Sequence, residues 1–211
     1  MKPIVVEGIE DYARQSTRPE PTLLTELEQQ TYAEMQYPQM CTGRLEGRLL
    51  KLLVRISRPQ LIVELGTFTG YSALSMAEGL PDSGRIVTCE VNPAAAEVAQ
   101  AAFDKSPVGD RIEIRLGPAL DTLRSIDEPI DFSFVDADKE NYPVYFEEIV
   151  TRTRPGGVIV FDNMLWSGSV LAPADDEARA IDNLNRIVAA DDRVENVLLT
   201  VRDGVQLIVR K

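Results

Sequence analysis

The sequence contains no histidine. That absence removes Ser-His-Asp and Cys-His nucleophilic systems and histidine-ligated zinc. Any general base must be a carboxylate, lysine, tyrosine or cysteine, and any metal site must rest mainly on oxygen. Cysteine is scarce as well: there are two, Cys41 and Cys89. The count alone leaves one disulfide open, but two reduced thiols suit an intracellular chain better. No apolar run approaches the ~20 residues that a membrane-spanning helix needs. The start, MKPIVVEGIEDYARQ, lacks the basic region, apolar region and cleavage site of a secretory leader. The expectation is a cytoplasmic protein with no membrane partner. Basic residues are outnumbered, 22 against 34 acidic, for a net charge of −12. They do not cluster, so nucleic acids and anionic membrane surfaces are disfavoured as partners, and a small or cationic ligand fits better.

What is present is enough for a substantial core: 211 residues, 44% of them hydrophobic, with one domain as the default. The first part of the chain reads as helices around a break, with the two prolines of Thr17–Leu24 ahead of LLTELEQQTYAEM. A third helix spans Arg44–Ser57, with Leu45, Leu49, Leu52 and Leu53 on one face, and Arg58-Pro59 ends it. Strands and helices then alternate. Strands are expected at Leu61–Leu65, Arg85–Glu90, Arg111–Leu116, Ile130–Val135 and Val158–Phe161. Helices are expected at Tyr71–Gly79, Pro93–Phe103, Leu120–Ser125, near Tyr142–Thr151 and at Asp176–Ala189. RPGG reads as a turn, with Pro155 presetting φ. ENVLLTV and VQLIVRK form a hairpin about Asp203-Gly204. This order implies an α/β fold: a doubly wound, mostly parallel seven-stranded sheet with helices on both faces and one antiparallel C-terminal strand. Ligands of such sheets sit beyond the carboxyl ends of the strands, where the strand order reverses.

The residues at those ends carry the functional reading. After the first strand comes E-L-G-T-F-T-G, whose glycines Gly66 and Gly70 permit a tight turn and close approach of a ligand. The third glycine of a dinucleotide fingerprint is missing, and Glu64 favours a cationic ligand over a phosphate. A plain strand-to-helix turn is the alternative. Glu90, about 20 residues beyond the glycine loop, is placed to accept hydrogen bonds from both hydroxyls of a ribose. Gly117-Pro118-Ala119 either leaves room for a flat base or is an ordinary turn.

The sharpest signals are FVDADKENY and VIVFDNMLW. Asp136, Asp162 and Asn163 end two apolar strands and together offer two carboxylates and an amide oxygen. That is a hard-cation set suited to Mg²⁺ or Ca²⁺. Asp138 reads as a helix N-cap without chemistry. Lys139 is a surface lysine at a helix start or a functional amine. Trp166, the only tryptophan, either flanks a ligand ring or anchors packing. LAPADDEAR reads as a mobile acidic loop beside the site.

These stretches, ELGTFTGYSAL, Glu90, FVDADKENY and GGVIVFDNMLWSGSV, resemble the cation-dependent O-methyltransferases of the caffeoyl-coenzyme A and catechol type. The likeness covers nearly the whole chain. It divides the chain into substrate-side helices over residues 1–57 and a donor- and metal-binding core over 58–211. The resemblance implies S-adenosylmethionine as methyl donor, a divalent cation (Mg²⁺ first, with Ca²⁺ or Mn²⁺ as options), a phenolic acceptor and a homodimer. Glu64 would meet the amino group of the donor's methionine part, Gly66 and Thr67 would pass beneath it, and Ser72 would bind its carboxylate. Glu90 would hold the ribose, Ala119 would border the adenine, and Thr42 would touch the donor. Asp136 would serve both donor and metal, Asp162 and Asn163 would complete the metal ligands, and Lys139 would be the base. In MCTGRLEG the pattern leads us to expect a residue less bulky than Arg44 near the acceptor. A nicotinamide oxidoreductase on a similar fold and a non-catalytic oligomeric scaffold are the competing readings.

Overall fold

The computed structural model describes residues 5–211, so the first four residues of the MKPIVV start lie outside it. The strands are β1 (Leu61–Leu65), β2 (Arg85–Glu90), β3 (Ile112–Leu116), β4 (Ile130–Val135), β5 (Thr153–Phe161), β6 (Val194–Leu199) and β7 (Val205–Arg210). They form one seven-stranded sheet in the order β3-β2-β1-β4-β5-β7-β6. β1 to β5 run parallel, and β7 is antiparallel to both of its neighbours. The order reverses between β1 and β4, which makes that junction the expected ligand crevice.

The helices are α1 (Ile9–Ser16), α2 (Thr22–Glu34), α3 (Gly43–Ser57), α4 (Tyr71–Ala77), α5 (Pro93–Phe103), α6 (Ala119–Arg124), α7 (Tyr142–Arg152) and α8 (Asp176–Ala190). Side chains alternate across a strand, so each central strand feeds two cores. Ile62, Ile86, Phe132, Phe134 and Val160 pack with residues of α2 to α5. Val63, Leu65, Val87, Val135 and Phe161 pack with residues of α6 to α8. Burial on both faces explains why these strands read as continuous apolar runs. Among the described residues, no helix is long and apolar enough to cross a membrane.

Two sequence expectations are corrected. The leucine face of α3 is split: Leu49 and Leu53 pack at the edge of the core, and Leu52 points outward. The buried residues are Gly43, Glu46, Gly47, Arg48, Leu50 and Val54, while Leu52 is 56% and Ile56 78% exposed. The reason is Gly47: a Cβ there would come within 2.7 Å of Ser75 Oγ and 2.9 Å of the Tyr71 ring, so the glycine lets α3 lie directly on α4. Arg48 and Lys51 then reach Glu78 at 2.7 and 2.5 Å. Second, RPGG is not a turn ahead of β5 but an irregularity within it, between the Ile130↔Thr153 and Phe132↔Val158 pairs. The positive φ expected of a glycine there is found at Gly156.

Candidate active site

The loop after β1 is shaped by its neighbours. The Gly66 and Thr67 amides donate to the Cys89 carbonyl at 3.2 and 3.0 Å, and the Asp136 amide donates to the Leu65 carbonyl at 2.8 Å. Gly66 lies at φ +98°, and a Cβ there would run into the Asp136 carbonyl, so only glycine fits this crossing. Gly70, at φ +87°, opens α4 against the Phe103 ring.

Glu64 stands opposite Thr88 in the β1–β2 register and accepts its hydroxyl proton at 2.6 Å. The side chain is fully buried, and its second oxygen, Oε1, has no hydrogen-bond partner. Burial pushes this carboxyl up to about 8, against the opposing hydrogen bond of Thr88. A buried carboxylate oxygen left unpartnered beside a glycine turn fits a ligand's ammonium group. Glu90 ends β2 but is not free. It accepts the Phe68 amide at 2.7 Å and the Val91 and Asn92 amides at 3.0 and 2.9 Å, which holds Phe68 at φ +47°.

At the ends of β4 and β5 the in-register pair Val135↔Phe161 delivers Asp136 and Asp162 side by side, with the Asp162 amide donating to the Val135 carbonyl at 3.0 Å. Lys139 is buried and donates to Asp136 Oδ1 and to the Tyr142 hydroxyl, each at 2.7 Å. The Tyr142 hydroxyl in turn lies 3.1 Å from the Asp162 carbonyl and 3.3 Å from that of Val135, its acceptors. Asn163 takes φ +60°, and its amide donates to Asp162 Oδ1 at 2.6 Å. Burial and then the Asp136 charge push Asp162 up to about 6. Among the described residues, no three acids or cysteines form a ready-made metal cage. The set that does gather is two carboxylates and one amide, all oxygen donors. Their mutual repulsion is the kind that a divalent ion relieves, so these residues fit such an ion.

A cavity of about 480 Å³ joins the two ends. Thr42, Gly66, Thr67, Ser72, Glu90 and Ala119 line it at one end. Asp136, Lys139, Asp162 and Asn163 line the other. Glu64 does not line it and lies buried beneath the loop. Cys41 and Cys89 are free and buried, as two reduced thiols. Trp166 borders the cavity, 5.9 Å from the Lys139 amine, and also packs on the core, so both of its readings have a structural basis.

Other expectations change. Asp138 does not cap a helix with its side chain. Its carboxylate accepts the Tyr145 hydroxyl and the Asn141 amide instead. Arg44 does not line the cavity. It pairs with Glu20 at 3.0 Å and with the Thr17 carbonyl, tying the Pro19–Pro21 break to α3. The acidic run LAPADDEAR leads directly into α8, where Asp175 caps the Ala178 amide at 2.8 Å and Glu177 borders the cavity. Sequence reasoning missed three residues: Tyr142, Glu46 and Arg202. Glu46 is fully buried and neither of its oxygens has a hydrogen-bond partner; burial, then Asp162, raises its pKa well above the usual range. A glutamate on an otherwise apolar helix face was the signal available for it.

The glycine turn, the paired strand-end acids and the buried lysine define a donor-and-acceptor transfer site on a doubly wound sheet. A profile of the O-methyltransferase family matches residues 13–211, and the chain belongs to that family. It is 38% identical over 204 residues to caffeoyl-CoA O-methyltransferase 1 of Eucalyptus globulus, covering 90% of this chain and 82% of the relative. The Petroselinum crispum caffeoyl-CoA O-methyltransferase is also 38% identical, over 205 residues, covering 90% of this chain and 85% of the relative. Among solved structures, an O-methyltransferase from Bacillus cereus in complex with SAH superposes with TM-score 0.88 at 34% identity, covering 96% and 97% of the two chains. An O-methyltransferase of Streptomyces achromogenes involved in tomaymycin synthesis, in complex with SAM, gives 0.89 at 30% identity, covering 98% and 100%.

Proposed function

We propose that this O-methyltransferase moves the methyl group of S-adenosylmethionine to one hydroxyl of a catechol-like or other vicinal-diol phenol, with a divalent cation held by Asp136, Asp162 and Asn163. The donor reading is supported by the SAM and SAH complexes of structural neighbours and by the unpartnered Glu64 oxygen. The acceptor reading draws on plant relatives named for caffeoyl-CoA. One observation carries the whole: two crowded carboxylates and a buried lysine share a cavity with the glycine turn. Mg²⁺ suits the donor set best, and Ca²⁺ or Mn²⁺ are the alternatives. The apolar stripe of α3, with Leu52 and Ile56 exposed, supports the homodimer.

A divalent cation held by these residues would supply positive charge that stabilises the anion of a phenol, whose ordinary pKa is about 10. Lys139 takes the hydroxyl proton. The O–CH₃ bond forms as the CH₃–S⁺ bond breaks, and the electron pair of that bond returns to sulfur. Glu64 and Ser72 hold the methionine part of the donor, Gly66 and Thr67 run beneath it, and Glu90 and Ala119 flank the ribose and adenine. Thr42 meets the donor from α3, and α1 to α3 cover the acceptor side. Holding acceptor oxygen and methyl group in line contributes about 7–11 kcal/mol to lowering such a barrier.

The test pairs calorimetry of S-adenosylmethionine with mass spectrometry of catechol acceptors, with and without chelator. Donor binding and a metal-dependent gain of one methyl group are expected. Absence of donor binding removes the reaction, and undiminished transfer under chelation removes the metal.

A further inference from the structure

The cavity holds a second cation that the transfer chemistry does not use. Lys139 and Arg202 are the cations that line it. Lys139 already donates to Asp136 and Tyr142, each at 2.7 Å. Arg202 sits in the connection between β6 and β7 at φ +49°, a left-handed conformation that glycine adopts freely and arginine only at a cost. Strain of this kind, next to a candidate site, invites a functional explanation.

The guanidinium is poorly served by the protein. It has five N–H donors. Its hydrogen bond among the described residues is a long one, 3.4 Å to the Cys41 carbonyl. The nearest carboxylate, Glu46, is 3.8 Å away, close enough to balance charge but beyond hydrogen-bonding reach. The side chain is 21% exposed and lines the cavity, where its unpartnered donors can meet a ligand. Asp162 and Asp136 also act on it electrostatically, so its charge is assured. Thr42, at the start of the fifteen-residue α3, lines the same cavity and makes no capping bond, which adds positive potential there. The partner that satisfies a planar fork with two parallel bonds is a carboxylate.

We propose that Arg202 is a specificity-determining residue that takes a carboxylate borne by the acceptor, so the preferred acceptors are catechols carrying a carboxylic acid. This rests on the methyl-transfer reading above. Glu46, 3.8 Å away and beyond hydrogen-bonding reach, leaves the guanidinium donors open to such a partner.

The experiment compares 3,4-dihydroxybenzoate with unsubstituted catechol. Binding is measured by calorimetry on the wild type preloaded with S-adenosylhomocysteine and Mg²⁺, and kcat/KM is measured in parallel. The expected wild-type preference for the carboxylated ligand is roughly ten- to a hundredfold, as for a charged hydrogen-bonded pair. Arg202→Met should bring the ratio near one, and Arg202→Lys should keep part of it. Arg202→Gly suits the backbone and gives the same reading should the methionine variant fold poorly. No preference in the wild type, or a preference that survives in Arg202→Gly, overturns the proposal. If catechols bind with an Arg202-dependent preference but are never methylated, the reaction fails and the recognition stands. If neutral catechol is methylated and Arg202 has no effect on the ratio, the reaction stands and the recognition fails.

Discussion

The two ends of the cavity are built on opposite plans. The end formed by β1 and β2 is mostly backbone. Its turn is pinned by amide-to-carbonyl bonds onto Cys89 and Leu65, and Glu90 is consumed by three amides. The end formed by β4 and β5 is mostly side chain. Asp136, Asp162, Glu46, Lys139 and Arg202 crowd together, and several of their bonds are long or missing. A backbone site is rigid whether or not it is filled. A crowded side-chain site stores repulsion that a ligand of the right charge releases. The first plan suits binding a donor of fixed shape; the second suits making and breaking bonds.

The largest effect expected from this contrast is at Lys139. Lys139→Ala should lower kcat by about 10²- to 10⁴-fold, the range for loss of a general base, while the donor's dissociation constant moves less than about threefold. Rapid-quench turnover and donor calorimetry on the same preparation decide it. Equal activity removes the lysine from catalysis, and a matching loss of donor affinity would mean that the two ends are not separable.

A middle-sized effect tests the one side chain on which the donor end depends. Glu64→Gln should weaken S-adenosylmethionine by roughly ten- to a hundredfold, the scale of one charged hydrogen bond. It should also change stability against pH. The folded Glu64 carboxyl titrates near 8 rather than at its ordinary 4.5, because of burial. The native state therefore binds the proton more tightly than the unfolded chain. Its contribution is complete below the ordinary value and is lost as pH rises through the folded one. Asp162, raised to about 6, acts with the same sign. Melting temperature of the ligand-free protein should thus fall from pH 5 to pH 8, and Glu64→Gln should flatten the slope. Groups held low by arginine, such as Asp131 and Asp191, lose their contribution only at more acid pH and leave this window clear. A flat wild-type profile would place the Glu64 carboxylate in contact with water.

The same contrast separates what the sequence revealed from what it hid. The strand positions, the glycine turn and the strand-end acids were legible because each is local: an apolar run, then its last residue. Glu46 and Arg202 were hidden because they reach the site from α3 and from the β6–β7 connection, far along the chain from Asp136. Arg44 drew attention as the bulky residue near the acceptor, while the arginine at the cavity is Arg202. The leucine periodicity of α3 was real but marked the edge of the core, with Leu49 and Leu53 packed on it and Leu52 outside, because Gly47 set the neighbouring face onto α4. Periodicity identifies an amphipathic face and cannot say which neighbour it meets.

The smallest effect expected lies inside the most suggestive motif. Asp138 stands between Asp136 and Lys139 in FVDADKENY and borders the cavity, so spacing alone gives it the same standing as its neighbours. Its oxygens are taken by Tyr145 and Asn141, and the residue is exposed. An exposed pair of this kind is worth about 1 kcal/mol or less. Asp138→Asn should therefore shift the melting temperature by no more than about 3 °C. It should leave kcat/KM within about threefold of the wild type, whereas Asp136→Asn, two residues earlier, should abolish transfer. Parallel melts and initial rates on the two variants test the point. A loss at Asp138 comparable to that at Asp136 would mean that the motif acts as one charged cluster rather than as one strand-end ligand followed by a structural acid and a base.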